Sequence, residues 1–147
     1  MTENEITGLI VDSALKIHRT VGPGLLESVY EEIMAVELSR RGMSFERQKP
    51  IPITYEGITL PDPFRADLIV DRRVLVELKS IESLQPIHSK QTLPYLRLAR
   101  LRLGLLINFN VPLLRDGIIR LINTPPSGSK PSSDLCASAP LRETSEN

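Results

Sequence analysis

The fold is decided by the stretch RADLIVDRRVLVELK, residues 65–79, in which apolar and charged side chains alternate on both sides of a polar turn. Alternation over this length is typical of two β-strands joined as a hairpin. If Val70 pairs with Val74 across the turn, counting back along both strands places Asp67 directly opposite Glu77. The sequence therefore predicts an antiparallel hairpin that brings two carboxylates together.

Each strand of this hairpin is predicted to have one apolar face and one charged face. Because side chains alternate along a strand, Ala66, Leu68 and Val70 should share the apolar face of the first strand, with Asp67 on the other. Carboxylates that lie directly opposite each other across two strands have Cβ atoms about 5 Å apart and repel each other. The charged faces therefore need something that offsets this repulsion.

Two opposed carboxylates in a domain interior have few stable arrangements. A divalent cation between them relieves the repulsion, and ligation by oxygen alone suits Mg²⁺ or Mn²⁺ better than zinc. Without a metal, one carboxyl should have a raised pKa or recruit a cation. Lys79 follows Glu77 on the same face, where its ammonium could polarise a water or stabilise charge on a phosphate. This set fits phosphodiester hydrolysis, but it also fits a plain scaffold in which Lys79 neutralises Glu77.

The rest of the chain predicts three helices and further strands around the hairpin. Apolar side chains recur at helical spacing before and after the Gly22-Pro23-Gly24 break and again after the hairpin, where Pro94 falls inside the pattern. Helices are predicted over 4–19, from 25 to a stop at Gly42, and over 84–101; strands are predicted over 45–55, 64–70, 74–79, 103–109 and 117–122, with a turn at 56–57. This order predicts an α/β sandwich with a mixed sheet.

The length and the composition predict one domain followed by a tail. The chain has 147 residues, enough for one core to bury about two thirds of the unfolded surface. Residues 124–147 hold 4 of the 12 prolines and almost nothing apolar, which predicts a disordered Pro/Ser-rich tail. We therefore expect a folded domain over 1–123.

Several classes of protein are excluded by composition. The single cysteine, Cys136, can form neither an internal disulfide nor a cysteine-based metal site, which suits a cytoplasmic protein. No apolar run approaches the roughly 20 residues of a membrane helix, so no membrane association is expected. The 18 basic and 18 acidic residues give a formal net charge of zero, which argues against binding nucleic acid by bulk electrostatics but allows a local basic face.

Two pairs of side chains at helical spacing add candidates for a site. Glu27 and Tyr30 should share one face of the second helix. The charged side chains of this helix that are expected to be solvated are Glu31, Glu32, Arg40 and Arg41. Gln91 and Tyr95 should share a face of the third helix, where Gln91 could orient a water or hold a phosphate oxygen. The alternatives are a first-turn acid at the helix dipole for Glu27, a core position for Tyr30 and a surface position for Gln91.

Taken together, these segments resemble the GxxExxY family, a branch of the PD-(D/E)XK nuclease superfamily. The resemblance covers about residues 4–123 and rests on five motifs in order: GLLESVY at 24–30, RAD at 65–67, ELK at 77–79, QTLPY at 91–95 and LGLLINF at 103–109. It implies a three-layer, restriction-endonuclease-like α/β core of order αβββαβ, with a mixed central sheet flanked by helices.

The resemblance also implies roles for individual residues. Asp67 and Glu77 would be metal ligands together with the carbonyl of Leu78, and Lys79 would position the attacking water. Glu27 would be a further acidic residue of the site, with Tyr30, Gln91 and Tyr95 in support. Pro94 departs from the family, because an asparagine is expected there; its missing N–H and its ring should bend the helix that carries Gln91 and Tyr95.

Two functions from different classes follow. The first is a nuclease dependent on Mg²⁺ or Mn²⁺ that hydrolyses phosphodiester bonds of nucleic acid, with DNA favoured. The second is a catalytically inactive module that keeps the nuclease fold and binds nucleic acid or a protein partner. The intact set of two acids and a lysine favours the first, whereas the neutral charge and the short chain favour the second, or a nuclease that depends on a homodimer or a protein partner.

Overall fold

The structure is a computed structural model that describes residues 1–124. The predicted tail, 124–147, lies outside the described residues except for Thr124, and Cys136 lies outside them too. The described chain forms α1 (Glu3–Val21), α2 (Glu27–Arg40), β1 (Phe45–Ile51), β2 (Thr54–Tyr55), β3 (Ile58–Thr59), β4 (Phe64–Val70), β5 (Val74–Lys79), α3 (Pro86–Leu98), β6 (Leu103–Asn108), a short 3-10 helix (Leu114–Gly117) and β7 (Ile118–Ile122). None of the helices in this part of the chain is long and apolar enough to cross a bilayer.

Five strands form one mixed sheet in the order β1-β4-β5-β6-β7, which confirms the predicted fold class. β5 and β6 run parallel, and the other neighbouring pairs are antiparallel. The order α2-β1-β4-β5-α3-β6 reproduces the αβββαβ core that the resemblance implies. Val70 pairs with Val74 as predicted, followed by Ile69 with Leu75 and Leu68 with Val76. The next position in this register is Asp67 opposite Glu77.

Helices cover both faces of the sheet and make three layers. On one face, α1 and α2 pack against alternate residues of β5, including Val76 and Leu78. On the other face, α3 packs through Leu93 and Leu96 against a core that includes Leu75. β5 is therefore buried on both sides from Val74 to Leu78, so the predicted alternation holds but the face that carries Glu77 is covered at that residue. A central strand flanked by helices on both faces has no solvated side.

The strict alternation predicted for β4 is wrong, because it is interrupted at Asp67. Leu68 and Val70 pack in the core on the α1–α2 side, but Ala66 packs in the core on the α3 side. The same interruption occurs in β1 at Gln48, which lies opposite Asp67 and has a φ of 49°. A residue in the left-handed region rotates the strand that contains it, so the side chains that follow change faces.

Local chemistry explains where the other elements begin and end. Thr2 caps α1, because its side chain accepts a hydrogen bond from the N–H of Glu5 at 3.1 Å. The strand predicted over 45–55 ends at Ile51, and residues 54–59 form a separate hairpin, since Pro52 has no N–H for the ladder. The third helix begins at Pro86, where a proline is favourable, and continues through the exposed Pro94 to Leu98.

Candidate active site

Asp67 and Glu77 lie side by side and are held by each other's strands. Glu77 Oε2 accepts a hydrogen bond from the N–H of Asp67 at 3.0 Å, and Asp67 Oδ2 accepts one from the N–H of Leu78 at 2.8 Å. The paired register of β4 and β5 stops at Leu68 and Val76. The two carboxylates therefore accept hydrogen bonds from backbone N–H groups beyond the last strand pair, where an ordinary ladder would pair these groups with the backbone of the other strand.

Burial of this pair raises the pKa of both carboxyls. Glu77 is only 7% exposed. Desolvation, followed by the charge of Asp67, raises the pKa of Glu77 from its ordinary 4.5 to about 8, although the N–H of Asp67 and the charge of Lys79 oppose the rise. Desolvation also raises the pKa of Asp67, against the hydrogen bonds from Leu78 and Gln48. A raised pKa is what opposed carboxylates without a metal were predicted to have.

An acidic cleft of about 630 Å³ opens beside the pair, between the start of α2 and the edge of the sheet. Its lining includes the carboxylates of Glu27, Glu31 and Asp67, together with Gln48 and Asn110. The charges of Glu31 and Glu27 contribute to the raised pKa of Asp67. The cleft thus gathers negative charge, which repels phosphate until a cation offsets it.

The GLLESVY segment, residues 24–30, shapes the wall of this cleft. Glu27 is exposed and its Oε2 accepts a hydrogen bond from the N–H of Ser80 at 3.3 Å, immediately after Lys79. Tyr30 is fully buried; its hydroxyl donates to the carbonyl of Gly22 at 2.6 Å and accepts from the N–H of Leu25 at 3.2 Å. Glu27 therefore lies in the cleft, whereas Tyr30 supports the loop behind it.

Glu31 is a residue of this region that the sequence analysis placed wrongly. It was expected to be solvated, but it is 8% exposed. Its Oε2 accepts from Arg47 Nε at 2.9 Å, and its Oε1 accepts from Gln48 Nε2 at 2.7 Å. A signal was present, since Glu31 follows Glu27 by one helical turn and shares its face. Gln48 carried no comparable signal.

Asn108, at the end of β6, is a second residue that pattern analysis missed. Its side chain is fully buried; Oδ1 accepts from the N–H of Ile81 and Nδ2 donates to the carbonyl of Ile81, both at 3.0 Å. The N–H of Phe109 donates to the carbonyl of Lys79 at 3.0 Å. The segment that leaves β5 after Lys79 is thus held by the end of β6. An asparagine in an apolar strand was the available signal.

The remaining predicted residues, Lys79, Gln91 and Tyr95, do not line the cleft. Lys79 ends β5 and is half-buried. Gln91 is exposed on α3, and the ring of Tyr95 stacks on Phe64 with ring centroids 3.9 Å apart. α3 covers the face of the sheet opposite α1 and α2, so Gln91 and Tyr95 belong to the other layer. The roles predicted for Lys79, Gln91 and Tyr95 stay predictions.

The donor atoms present suit a hard cation, although the acids do not form a ready-made cluster. Within residues 1–124 no group of three or more His, Cys, Asp or Glu side chains is arranged to hold a metal ion. Asp67 and Glu77 offer two carboxylates. The carbonyl of Leu78 faces the same neighbouring strand as its N–H, which bonds Asp67. An oxygen-only set of this kind matches Mg²⁺ or Mn²⁺.

A mixed sheet between helices, with two carboxylates and a lysine on the adjacent inner strands β4 and β5, defines a restriction-endonuclease-like domain. A family model described as the PD-(D/E)XK nuclease superfamily matches residues 4–121, and the chain belongs to this superfamily. Comparisons with curated proteins and with solved structures give no match.

Proposed function

We propose that this chain is a nuclease dependent on Mg²⁺ or Mn²⁺ that hydrolyses phosphodiester bonds of nucleic acid, with DNA as the favoured substrate. Membership of the PD-(D/E)XK superfamily suggests nuclease activity. The observation that carries the proposal is the pair formed by buried Glu77 and half-buried Asp67, whose carboxylates are held side by side although both have raised pKa values. We also assign residues 1–123 to the GxxExxY branch, on the motif at Gly24, Glu27 and Tyr30.

The residues of the pair would hold the metal. Asp67, Glu77 and the carbonyl of Leu78 supply oxygen ligands, and ionised carboxylates become favourable once a cation lies between them. A bound divalent ion supplies a lower pKa for water and offsets negative charge on phosphate in the transition state. The ion would thus convert an unfavourable pair of acids into a binding site for phosphate.

The neighbouring side chains would orient the reactants. Lys79, directly after Leu78, would hold the attacking water or neutralise a phosphate oxygen with its ammonium. Glu27 would add negative charge at the mouth of the site and already fixes the N–H of Ser80. Gln91, Tyr95 and Tyr30 would act in support: Gln91 on substrate, Tyr95 through Phe64 and Tyr30 through the loop at Gly22.

A second candidate function is an inactive nuclease-fold module that binds nucleic acid or a protein partner, including a second copy of the chain. Residues 1–123 contain 16 basic and 15 acidic residues, so they offer little bulk attraction for phosphate. Within residues 1–124 no three His, Cys, Asp or Glu side chains are arranged to hold a metal ion, which also favours this candidate. In either case we place the protein in the cytoplasm, in keeping with its single cysteine.

Cleavage assays on single-stranded, duplex and branched DNA and on RNA, each with Mg²⁺ and with Mn²⁺, test the proposal. We expect metal-dependent cleavage that is lost in Asp67→Asn, Glu77→Ala and Lys79→Ala. The matched controls are Glu46→Gln and Lys49→Ala, which change an exposed ion pair on β1 and should keep activity. Cleavage that survives in all three site variants would contradict the assignment, and metal-dependent binding without cleavage would favour the second candidate.

Unfolding measurements test the metal site separately. An ion that binds only the folded protein raises its apparent stability by mass action. We expect Mg²⁺ or Mn²⁺ to raise the midpoint temperature of the wild-type protein but not of Asp67→Asn. An equal shift in the two proteins would place the ion elsewhere.

A further inference from the structure

Gln48 has an unfavourable backbone conformation in the middle of a strand. Five non-glycine residues in the described part of the chain have a positive φ. Four of them lie in turns or just after a helix: Glu56, Asp71, Arg72 and Arg100. Gln48 alone among these five lies inside a strand, with a φ of 49°. Side chains with a Cβ disfavour this region, so another interaction must hold Gln48 there.

The side-chain amide of Gln48 bridges two carboxylates. Its Nε2 donates to Glu31 Oε1 at 2.7 Å and to Asp67 Oδ1 at 3.2 Å. An amide NH₂ has two hydrogens, so it can serve both acceptors at once. Glu31 is fixed in turn by Arg47, at 2.9 Å. Through Gln48, α2 is therefore connected to the carboxylate at the centre of the candidate site.

The backbone of Gln48 places the amide where this bridge can form. Arg47 pairs with Leu68 and Lys49 pairs with Ala66, so Gln48 lies opposite Asp67 in the register, at the point where both strands change faces. Gln48 is exposed, and burial of its side chain therefore offers little to offset the strain. The two hydrogen bonds of the bridge are therefore the interaction that offsets the unfavourable backbone conformation of Gln48.

We propose that Gln48 is a positioning residue for Asp67. Its amide holds Oδ1 of Asp67, so Oδ2 stays on the N–H of Leu78 and the carboxylate keeps one orientation toward Glu77. This inference rests on the proposed function, in which Asp67 binds the metal. It adds a residue from β1, outside the five motifs, that determines how well the metal is held.

Two substitutions separate the bridge from the strain. Gln48→Met keeps the length and the Cβ but has no donor, so the bridge is lost and the strain remains. Gln48→Gly loses the bridge and also relieves the strain, because glycine adopts positive φ readily. Glu56→Gly is the matched control, since Glu56 has a φ of 48° in the β2–β3 turn, outside the lining of the cleft.

Two readouts on the full chain test the proposal. Hydrogen exchange of the Leu78 amide, compared with that of Val76, reports whether Asp67 keeps its orientation without any metal. Titration with Mn²⁺ reports the affinity of the site, and loss of a residue that orients a ligand lowers metal affinity about tenfold or more. We expect both Gln48 variants to show faster exchange at Leu78 and weaker Mn²⁺ binding than the wild-type protein. Gln48→Gly should unfold at a higher temperature than Gln48→Met, because it relieves the strain.

The outcomes distinguish this proposal from the proposed function. Exchange at Leu78 that matches wild type in both Gln48 variants, or variants that bind Mn²⁺ as tightly as Glu56→Gly does, would overturn the role of Gln48. If the wild-type protein binds no Mn²⁺, the metal site of the proposed function is refuted. Faster exchange at Leu78 in the Gln48 variants would still support Gln48 as the residue that positions Asp67.

Discussion

Asp67 and Glu77 each bond to the main chain of the strand that carries the other. The N–H of Asp67 donates to Glu77 Oε2 at 3.0 Å, while Asp67 Oδ2 accepts from the N–H of Leu78, next to Glu77, at 2.8 Å. Neither carboxylate can move away without leaving a backbone donor unpaired. The arrangement therefore keeps the two acids together. Their repulsion can then be relieved by protonation of one carboxyl or by a bound cation.

Glu77→Gln should stabilise the metal-free protein at high pH. At pH values below 4.5 Glu77 is protonated in both states; between 4.5 and about 8 the unfolded chain loses this proton while the folded protein keeps it. The free energy of unfolding therefore falls as the pH rises through this window. Glutamine resembles the protonated acid, so above a pH of about 8 the variant should be more stable by at least about 1 kcal/mol.

Urea unfolding with a chelator, across the same pH window, measures this effect. The raised pKa of Asp67 contributes a decline of the same sign, so the slope should be reduced in Glu77→Gln rather than abolished. Asp12, Glu32 and Glu37 have lowered pKa values and lose their contributions at lower pH. Glu46→Gln, on exposed β1, should keep the wild-type slope. An unchanged slope in Glu77→Gln would mean that Glu77 is ionised in the folded protein.

Asn108→Ala should destabilise the protein and displace Lys79. The N–H of Ile81 loses its partner in a partly buried environment, and the carbonyl of Ile81 keeps only its contact with Asn110 Nδ2, which together cost about 2 kcal/mol. Asn110→Ala is the control, because Asn110 is half-buried and its contact with the carbonyl of Ile81 is longer, at 3.3 Å. Urea unfolding should show a clearly larger loss for Asn108→Ala. Equal losses would show that Asn108 does not hold this segment.

Tyr30→Phe should cost about 1–2 kcal/mol, because the carbonyl of Gly22 and the N–H of Leu25 each lose a hydrogen bond. The stacking of the ring on Phe109, with centroids 4.2 Å apart, should persist. Tyr55→Phe is the control, since Tyr55 is 65% exposed and should change stability little. Unfolding midpoints in urea measure both variants. If Tyr30→Phe is as stable as the wild-type protein, the hydroxyl of Tyr30 does not stabilise this loop.

Pro94→Ala should stabilise the protein by about 1–2 kcal/mol, because alanine restores a helical N–H and has a higher helix propensity than proline. The gain is reduced because the unfolded chain becomes more flexible without the proline. Pro94 and Lys90, one turn before it, are both exposed, so no packing is lost. Pro86→Ala, at the first turn of α3, should bring no such gain, since proline is favourable there. Thermal unfolding compares the two variants. A loss of stability in Pro94→Ala would mean that the ring makes a contact the helix needs.

The hairpin was predictable from sequence because its signals are local. The alternation and the turn predict strands at 64–70 and 74–79, and the structure has those bounds. Once Val70 pairs with Val74, the opposition of Asp67 and Glu77 follows from counting. The five motifs likewise lie in order along the chain, and the superfamily that they suggested is confirmed by the family model over residues 4–121. Periodicity of two or of 3.6 residues is a property of neighbours in sequence, so it needs no knowledge of the rest of the fold.

The depth at which these acids are buried, and the groups that surround them, depend on contacts between distant parts of the chain. Glu31 is covered because β1 lies against α2 and supplies Gln48, 17 residues later. Glu27 meets the N–H of Ser80 across 53 residues, and Asn108 meets Ile81 across 27. Local pattern shows that a face is apolar or charged but not which distant element covers it, because that depends on how helices and sheet pack as a whole. Local sequence therefore predicts the pair of carboxylates, whereas packing raises their pKa values and supplies the residues that hold them.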